Sequence, residues 1–136
     1  MARSFSLKTE IFSLLLKAAR SRFLNPVFKF LFNHLGNIMK TENILEGAYW
    51  RAFNHPKPLY PLHILILPKT SIPALVEVPN NSAELYLDLF ALVKKLIEKF
   101  NLETCGYRLI TNGGPNQSVP QWHWHLISEN FGETND

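Results

Sequence analysis

The chain has 136 residues, 46% of them hydrophobic and 18% charged, with nine prolines and six glycines; this is the make-up of one folded domain and excludes a disordered tail, a collagen-like or solenoid repeat and a multidomain machine. Its one cysteine, Cys105, closes no internal disulfide and founds no thiolate metal site, so a reducing, cytoplasmic setting is the default expectation. The formal charge of +3 is uneven: residues 1–40 carry seven basic side chains and one acidic, net +6, whereas residues 41–136 carry seven basic and ten acidic, net −3. The basic pI therefore describes an N-terminal segment, and no nucleic-acid-binding face is expected from it.

In chain order, Phe12, Leu15, Leu16, Ala19 and Phe23 recur at helical spacing while Lys17, Arg20 and Arg22 fall mostly off that stripe, which predicts a basic amphipathic helix. Asn25-Pro26 reads as a helix start and opens a second stripe of Phe28, Leu31, Phe32, Leu35 and Met39. Three readings of this 1–40 helical extension stand open: packing on the domain or on a dimer mate, contact with an anionic membrane surface, and an organellar transit peptide, which an acid-poor start resembles. No apolar stretch approaches the length that spans a bilayer.

Beyond Lys40 the pattern changes to short apolar segments punctuated by proline and asparagine, and residues 41–136 are expected to form the domain itself. Residues 48–53 read as a strand followed by a proline-rich connection, and 63–67 (His-Ile-Leu-Ile-Leu) as a central strand stopped by Pro68. Asn80, Asn81 and Ser82 supply caps for a long helix over 81–101, whose core face is Leu85, Leu89, Leu92, Val93, Leu96 and Phe100. Glu84 and Asp88 near its start and Lys94, Lys95 and Lys99 near its end agree with the helix dipole. Residues 107–111 and 122–127 read as two further strands joined by a small, polar loop over 112–118.

The run Gln117-Ser118-Val119-Pro120-Gln121-Trp122-His123-Trp124-His125 carries the chemistry. Strand alternation puts Gln121, His123 and His125 on one face and Trp122 and Trp124 on the other, the latter suited to burial under the long helix. Spacing leaves three readings of the polar face: a transition-metal site, for which no well-placed carboxylate or thiolate completes the ligand set; ordinary solvated or core histidines; and a phosphate site in which one imidazole attacks phosphorus while loop donors hold the oxygens. His63 would enlarge the cluster if its strand lies alongside. Trp50 and Phe53 read as core aromatics, and Cys105 as a structural residue.

Three motifs in order, Pro61-Leu62-His63-Ile64-Leu65-Ile66-Leu67-Pro68-Lys69, Gly106-Tyr107-Arg108-Leu109-Ile110-Thr111-Asn112 and Gln117-Ser118-Val119 running into His123-x-His125, resemble the histidine triad (HIT) family of nucleotide hydrolases and transferases, particularly its Hint-like and Fhit-like branches. The resemblance implies that His123 is the nucleophile forming a covalent nucleotidyl-histidine on the α-phosphate, with His125 donating to the phosphate or leaving group. It also implies that Ser118 and Gln117 contact phosphate and leaving group, that Asn112 lies near phosphate and ribose, and that His63 supports the site. Gln121 stands where the family has its first histidine, and Asn54 and His55 stand where it has an acid for the ribose hydroxyls.

The expectation is an α+β, HIT-like fold: about five antiparallel strands with one long helix on a face. Its function is expected to be metal-independent nucleotide hydrolysis or nucleotidyl transfer on a phosphoramidate or dinucleoside polyphosphate, without cofactor, in a homodimer. The alternative is a non-catalytic nucleotide- or phosphate-binding module localised by its N-terminal helices.

Overall fold

The run of β-branched and leucine side chains after Pro61 forms the longest strand of the molecule, and every other strand is placed relative to it. A computed structural model describes residues 43–133; the 1–40 extension and its two apolar stripes lie outside the described residues. Five strands, β1 (Leu45–Glu46), β2 (Trp50–Asn54), β3 (Leu62–Pro68), β4 (Arg108–Thr111) and β5 (Trp124–Ser128), form one antiparallel sheet in the order β1-β2-β3-β5-β4. Between β3 and β4 run the long helix α1 (Ala83–Lys99) and the short helix α2 (Leu102–Cys105). This is the expected α+β architecture. The two-residue β1, too short for any periodicity, is the strand that the sequence pattern does not reveal.

Register sorts the strand residues onto two faces. Ala52, Ile66 and Trp124 lie side by side, as do Ile64, Leu126 and Leu109, on the face covered by α1. Leu89, Leu92, Val93 and Leu96 of α1 are buried against this face together with Trp50 and Trp122, whose rings meet edge to face at 5.0 Å. Both tryptophans are fully buried, so the core reading holds for Trp50 as it does for Phe53. The predicted stripe on the helix is the one that packs.

Ser82 stands at the N-cap position of helix α1 without a side-chain capping bond, and the helix stops before Asn101, which adopts a left-handed φ of 53°. Its N-terminal half also clips the turn between β1 and β2. The Asp88 carboxylate accepts the backbone N–H groups of Ala48 (3.0 Å) and Tyr49 (2.7 Å), Tyr49 donates its hydroxyl to Glu84 (2.9 Å), and the Trp50 indole donates to the Leu85 carbonyl (2.8 Å). A Cβ at Gly47 would sit 2.6 Å from the Asp88 carboxylate oxygens, so any larger residue there displaces the carboxylate that holds the turn. Asp88 thus does more than complement the helix dipole: charge-assisted bonds tie the helix to the sheet edge. No helix among the described residues is long and apolar enough to cross a membrane.

Candidate active site

The opposite face of the same strands carries the histidines. His63 pairs with Ile127 and Leu65 with His125, so His63 and His125 are diagonal neighbours on adjacent strands, close enough for ring contact. Pairing continues one residue past β2, where His55 donates its backbone N–H to the His63 carbonyl (2.8 Å). This places the His55 and His63 rings in a stack, centroids 4.1 Å apart and 24° between planes. His63 Nε2 lies 2.9 Å from His125 Nδ1, and His63 Nδ1 accepts the backbone N–H of Leu59 at 3.2 Å. Phe53, Leu65 and Ile127 share this face and are buried, so the imidazoles stand among apolar neighbours.

His123 precedes β5 and is held separately. Its Nδ1 lies 2.6 Å from the Gln121 backbone carbonyl, which can only accept, so the His123 proton is on Nδ1 and Nε2 keeps its lone pair. The segment is pinned from both sides: Trp122 donates its backbone N–H to Ile72 (2.7 Å) and its indole N–H to Thr111 Oγ1 (3.0 Å), and Thr111 in turn donates to the His123 carbonyl (2.7 Å). The His123 ring meets His125 edge to face at 4.8 Å.

Burial lowers the pKa of His123, partly offset by its bond to the Gln121 carbonyl, and burial lowers that of His63. His125 is held down at about 3 by burial and by the nearby His123, His63 and His55, and His55 at about 4 by burial and by His63 and His123. All four rings are therefore neutral at physiological pH. A neutral imidazole with a bare Nε2 is a nucleophile, and one with an N–H is a hydrogen-bond donor.

Gln121 departs from simple alternation. The ladder begins at Trp124 rather than at residue 122, and the Gln121 side chain turns inward, 1% exposed, accepting from Ser71 Oγ (3.0 Å) and donating to the Trp122 carbonyl (3.1 Å). Its backbone, not its amide, touches His123. Among the loop residues, Gln117 uses its amide to bridge the Pro73 (2.6 Å) and Val119 (2.9 Å) carbonyls, Asn112 is half-buried just after β4, and Ser118 is exposed. The loop turns at Gly114, whose φ of 55° suits glycine. Asn54 pairs with Ile64 and so belongs to the helix side of the sheet, exposed at its end. The residue brought to the histidine face from that run is His55, which selection by motif passes over; two-residue alternation from Phe53 would have found it.

His55, His63 and His125 each bring one ring nitrogen within 4.8 Å of the others, a set that could hold a metal ion. The hydrogen bonds behind the rings bear on that reading. A metal-bound imidazole donates its far N–H to an acceptor, whereas here backbone N–H groups of Lys57 (3.0 Å) and Leu59 (3.2 Å) donate to Nδ1 of His55 and His63. Both neutral rings then carry their proton on Nε2, the nitrogen left for a metal. The donor set fits rings that pass on hydrogen bonds better than rings that coordinate.

A model of the HIT domain family matches residues 37–132. An uncharacterized HIT-like protein of Buchnera aphidicola is 32% identical over 92 residues, covering 66% of this chain and 82% of the relative. Among solved structures, a HIT family hydrolase from Legionella pneumophila Philadelphia 1 is similar with a TM-score of 0.62 and 28% identity, covering 75% of this chain and 94% of that one. A histidine triad nucleotide-binding protein from Candida albicans gives 0.60 and 27%, covering 70% and 73%. The sheet order, the long helix and the histidine strand all fall inside the matched residues, and this chain belongs to the HIT family.

Proposed function

We propose that the protein is a nucleotide hydrolase or nucleotidyl transferase that acts at the α-phosphate through a covalent intermediate on His123. The observation that carries this reading is the 2.6 Å bond from His123 Nδ1 to the Gln121 carbonyl, which leaves Nε2 as a free nucleophile in a neutral ring. In the first step Nε2 attacks the α-phosphorus: a P–N bond forms, the bond to the leaving group breaks, and the leaving group takes up a proton from water while the neutral His125 N–H supplies only a hydrogen bond. Water then attacks the nucleotidyl-histidine, the P–N bond breaks, and a nucleoside monophosphate departs with His123 restored. Ser118, Gln117 and Asn112 are the proposed contacts to phosphate oxygens, leaving group and ribose, with His63 in support; Asn54, which register puts on the helix side of the sheet, is not among them. No step calls on a metal or cofactor.

The substitution at the first triad position is compatible with activity. What reaches His123 from residue 121 is a backbone carbonyl, which glutamine supplies as well as histidine does. The second reading, a binding module that holds a nucleotide without cleaving it, draws on the same residue, because an amide cannot change protonation state. The homodimer is also part of the proposal, supported by the exposed apolar side chains Val76, Leu87 and Phe90, and sedimentation would detect it. Membrane contact through residues 1–40 is proposed as well; liposome co-sedimentation of the full chain against a version starting near Lys40 tests it, and equal pelleting rejects it.

Incubation with labelled adenosine phosphoramidates and dinucleoside polyphosphates, followed by intact mass measurement, separates enzyme from binder. A nucleotidylated species in the wild type that is missing in His123→Ala is the expected result. Bound but uncleaved nucleotide would favour the module.

A further inference from the structure

We infer that Ser71-Ile72-Pro73, just beyond β3, form a brace for the loop that precedes β5, and that Ser71 and Gln117 are positioning residues for His123. The β5 ladder begins only at Trp124, so ladder bonds do not hold residues 117–123. Three consecutive residues from another part of the chain do so instead. The Ser71 hydroxyl donates to Gln121 Oε1 (3.0 Å), the Ile72 carbonyl accepts the Trp122 backbone N–H (2.7 Å), and the Pro73 carbonyl accepts the Gln117 side-chain amide (2.6 Å).

The peptide unit joining Gln121 to Trp122 is the pivot. It is planar, so anchoring its N–H on Ile72 also fixes the direction of its C=O, the group that meets His123 Nδ1 at 2.6 Å. The Gln121 side chain closes the same unit from the other end, donating to the Trp122 carbonyl (3.1 Å) while it accepts from Ser71. Gln117 spends both amide hydrogens on the brace and the loop, one on Pro73 and one on the Val119 carbonyl (2.9 Å), and that second carbonyl also accepts the Gln121 backbone N–H (2.8 Å). A shift of the brace is therefore passed to the carbonyl that aims the His123 ring. The catalytic meaning of the brace rests on the function proposed above, while its hold on the ring does not.

The test reads the His123 ring and turnover separately in the full chain. In the wild type the His123 Nδ1 proton should appear by NMR as a low-field resonance that exchanges slowly with water. Ser71→Ala should speed that exchange and lower kcat about five- to tenfold, the worth of one neutral hydrogen bond, with KM little changed. Ser71→Thr, which keeps the hydroxyl, should restore both. Ser71→Ala and Gln121→Leu remove the same bond, so the double variant should lose no more kcat than Gln121→Leu alone. Gln117→Leu should also speed the exchange; if it fails to fold, the Ser71 pair still decides. A lower kcat in Ser71→Ala with the His123 resonance unaltered overturns the inference, as does additive loss in the double variant. Faster exchange in Ser71→Ala in a protein that turns over no nucleotide would sink the proposed function alone; an unaltered ring with normal turnover would sink the brace alone.

Discussion

The two faces of the sheet are built from the same strands by different forces. Under α1, Trp50, Ile64, Ile66, Trp122 and Leu126 are buried against leucine and valine side chains, and what holds them is area removed from water, which tolerates small shifts. On the other face, His55, His63 and His125 sit among Phe53, Leu65 and Ile127 and are held by directional bonds, His55 and His63 from single backbone N–H groups and His125 from the His63 ring. Burial accounts for the first face without reference to chemistry. The second face uses burial as well, but to keep imidazoles neutral, and uses hydrogen bonds to decide what each neutral ring can do.

Substitutions on the two faces should therefore separate stability from activity. The largest effect is expected at His123→Ala: turnover falls by about a thousandfold or more, while nucleotide binding by calorimetry and the thermal midpoint stay near wild type. A comparable loss of binding would place His123 in recognition rather than chemistry. Leu89→Ala, on the covered face, should cost about 2–5 kcal/mol in denaturant unfolding and leave kcat of the folded fraction unchanged.

Gln121 lies between the two regimes and sharpens the contrast. Gln121→Leu strands the Ser71 hydroxyl and the Trp122 carbonyl inside the protein and should cost about 1–3 kcal/mol. Because the His123 contact comes from the backbone at residue 121, the same variant should retain turnover within about tenfold once allowance is made for unfolded protein. A collapse of kcat in well-folded Gln121→Leu would show that the amide itself takes part.

The last effect is one of pH, and it is small near neutrality. Imidazoles in the unfolded chain titrate near about 6.5, whereas His125 and His55 in the fold are held at about 3 and about 4. Between those values the unfolded state binds more protons, so stability is complete above about pH 6.5 and declines as pH falls, each histidine adding a slope of up to about 1.4 kcal/mol per pH unit. Urea titrations across the acid range should show that slope shrink in His55→Asn. An unchanged slope would mean that the His55 ring is not held neutral by the fold.

Much of the covered face was legible in the chain itself. The α1 stripe of Leu89, Leu92, Val93 and Leu96, the apolar run of β3 and the Trp122/Trp124 alternation are periodic patterns, and a period identifies both an element and its buried side. The three family motifs likewise pointed to His123, His125 and His63 together. Less of the site was legible. Glutamine at 121 predicts a polar wall beside His123 only if the strand extends that far, and the ladder starts at Trp124. His55 and Asn54 are adjacent polar residues, and which of them joins the histidines depends on the β2–β3 register.

The amino-acid sequence by itself determined the class of fold, the helix and its buried stripe, and the three motif histidines His63, His123 and His125, because periodicity and side-chain type are local properties. Only the tertiary structure decided that His55 stacks on His63, that Gln121 turns inward, and that His123 Nδ1 meets a backbone carbonyl while His125 Nδ1 meets the His63 ring. Those outcomes depend on strand register and on which backbone donor or acceptor lies within about 3 Å of a ring nitrogen, and residue order alone contains no such distance.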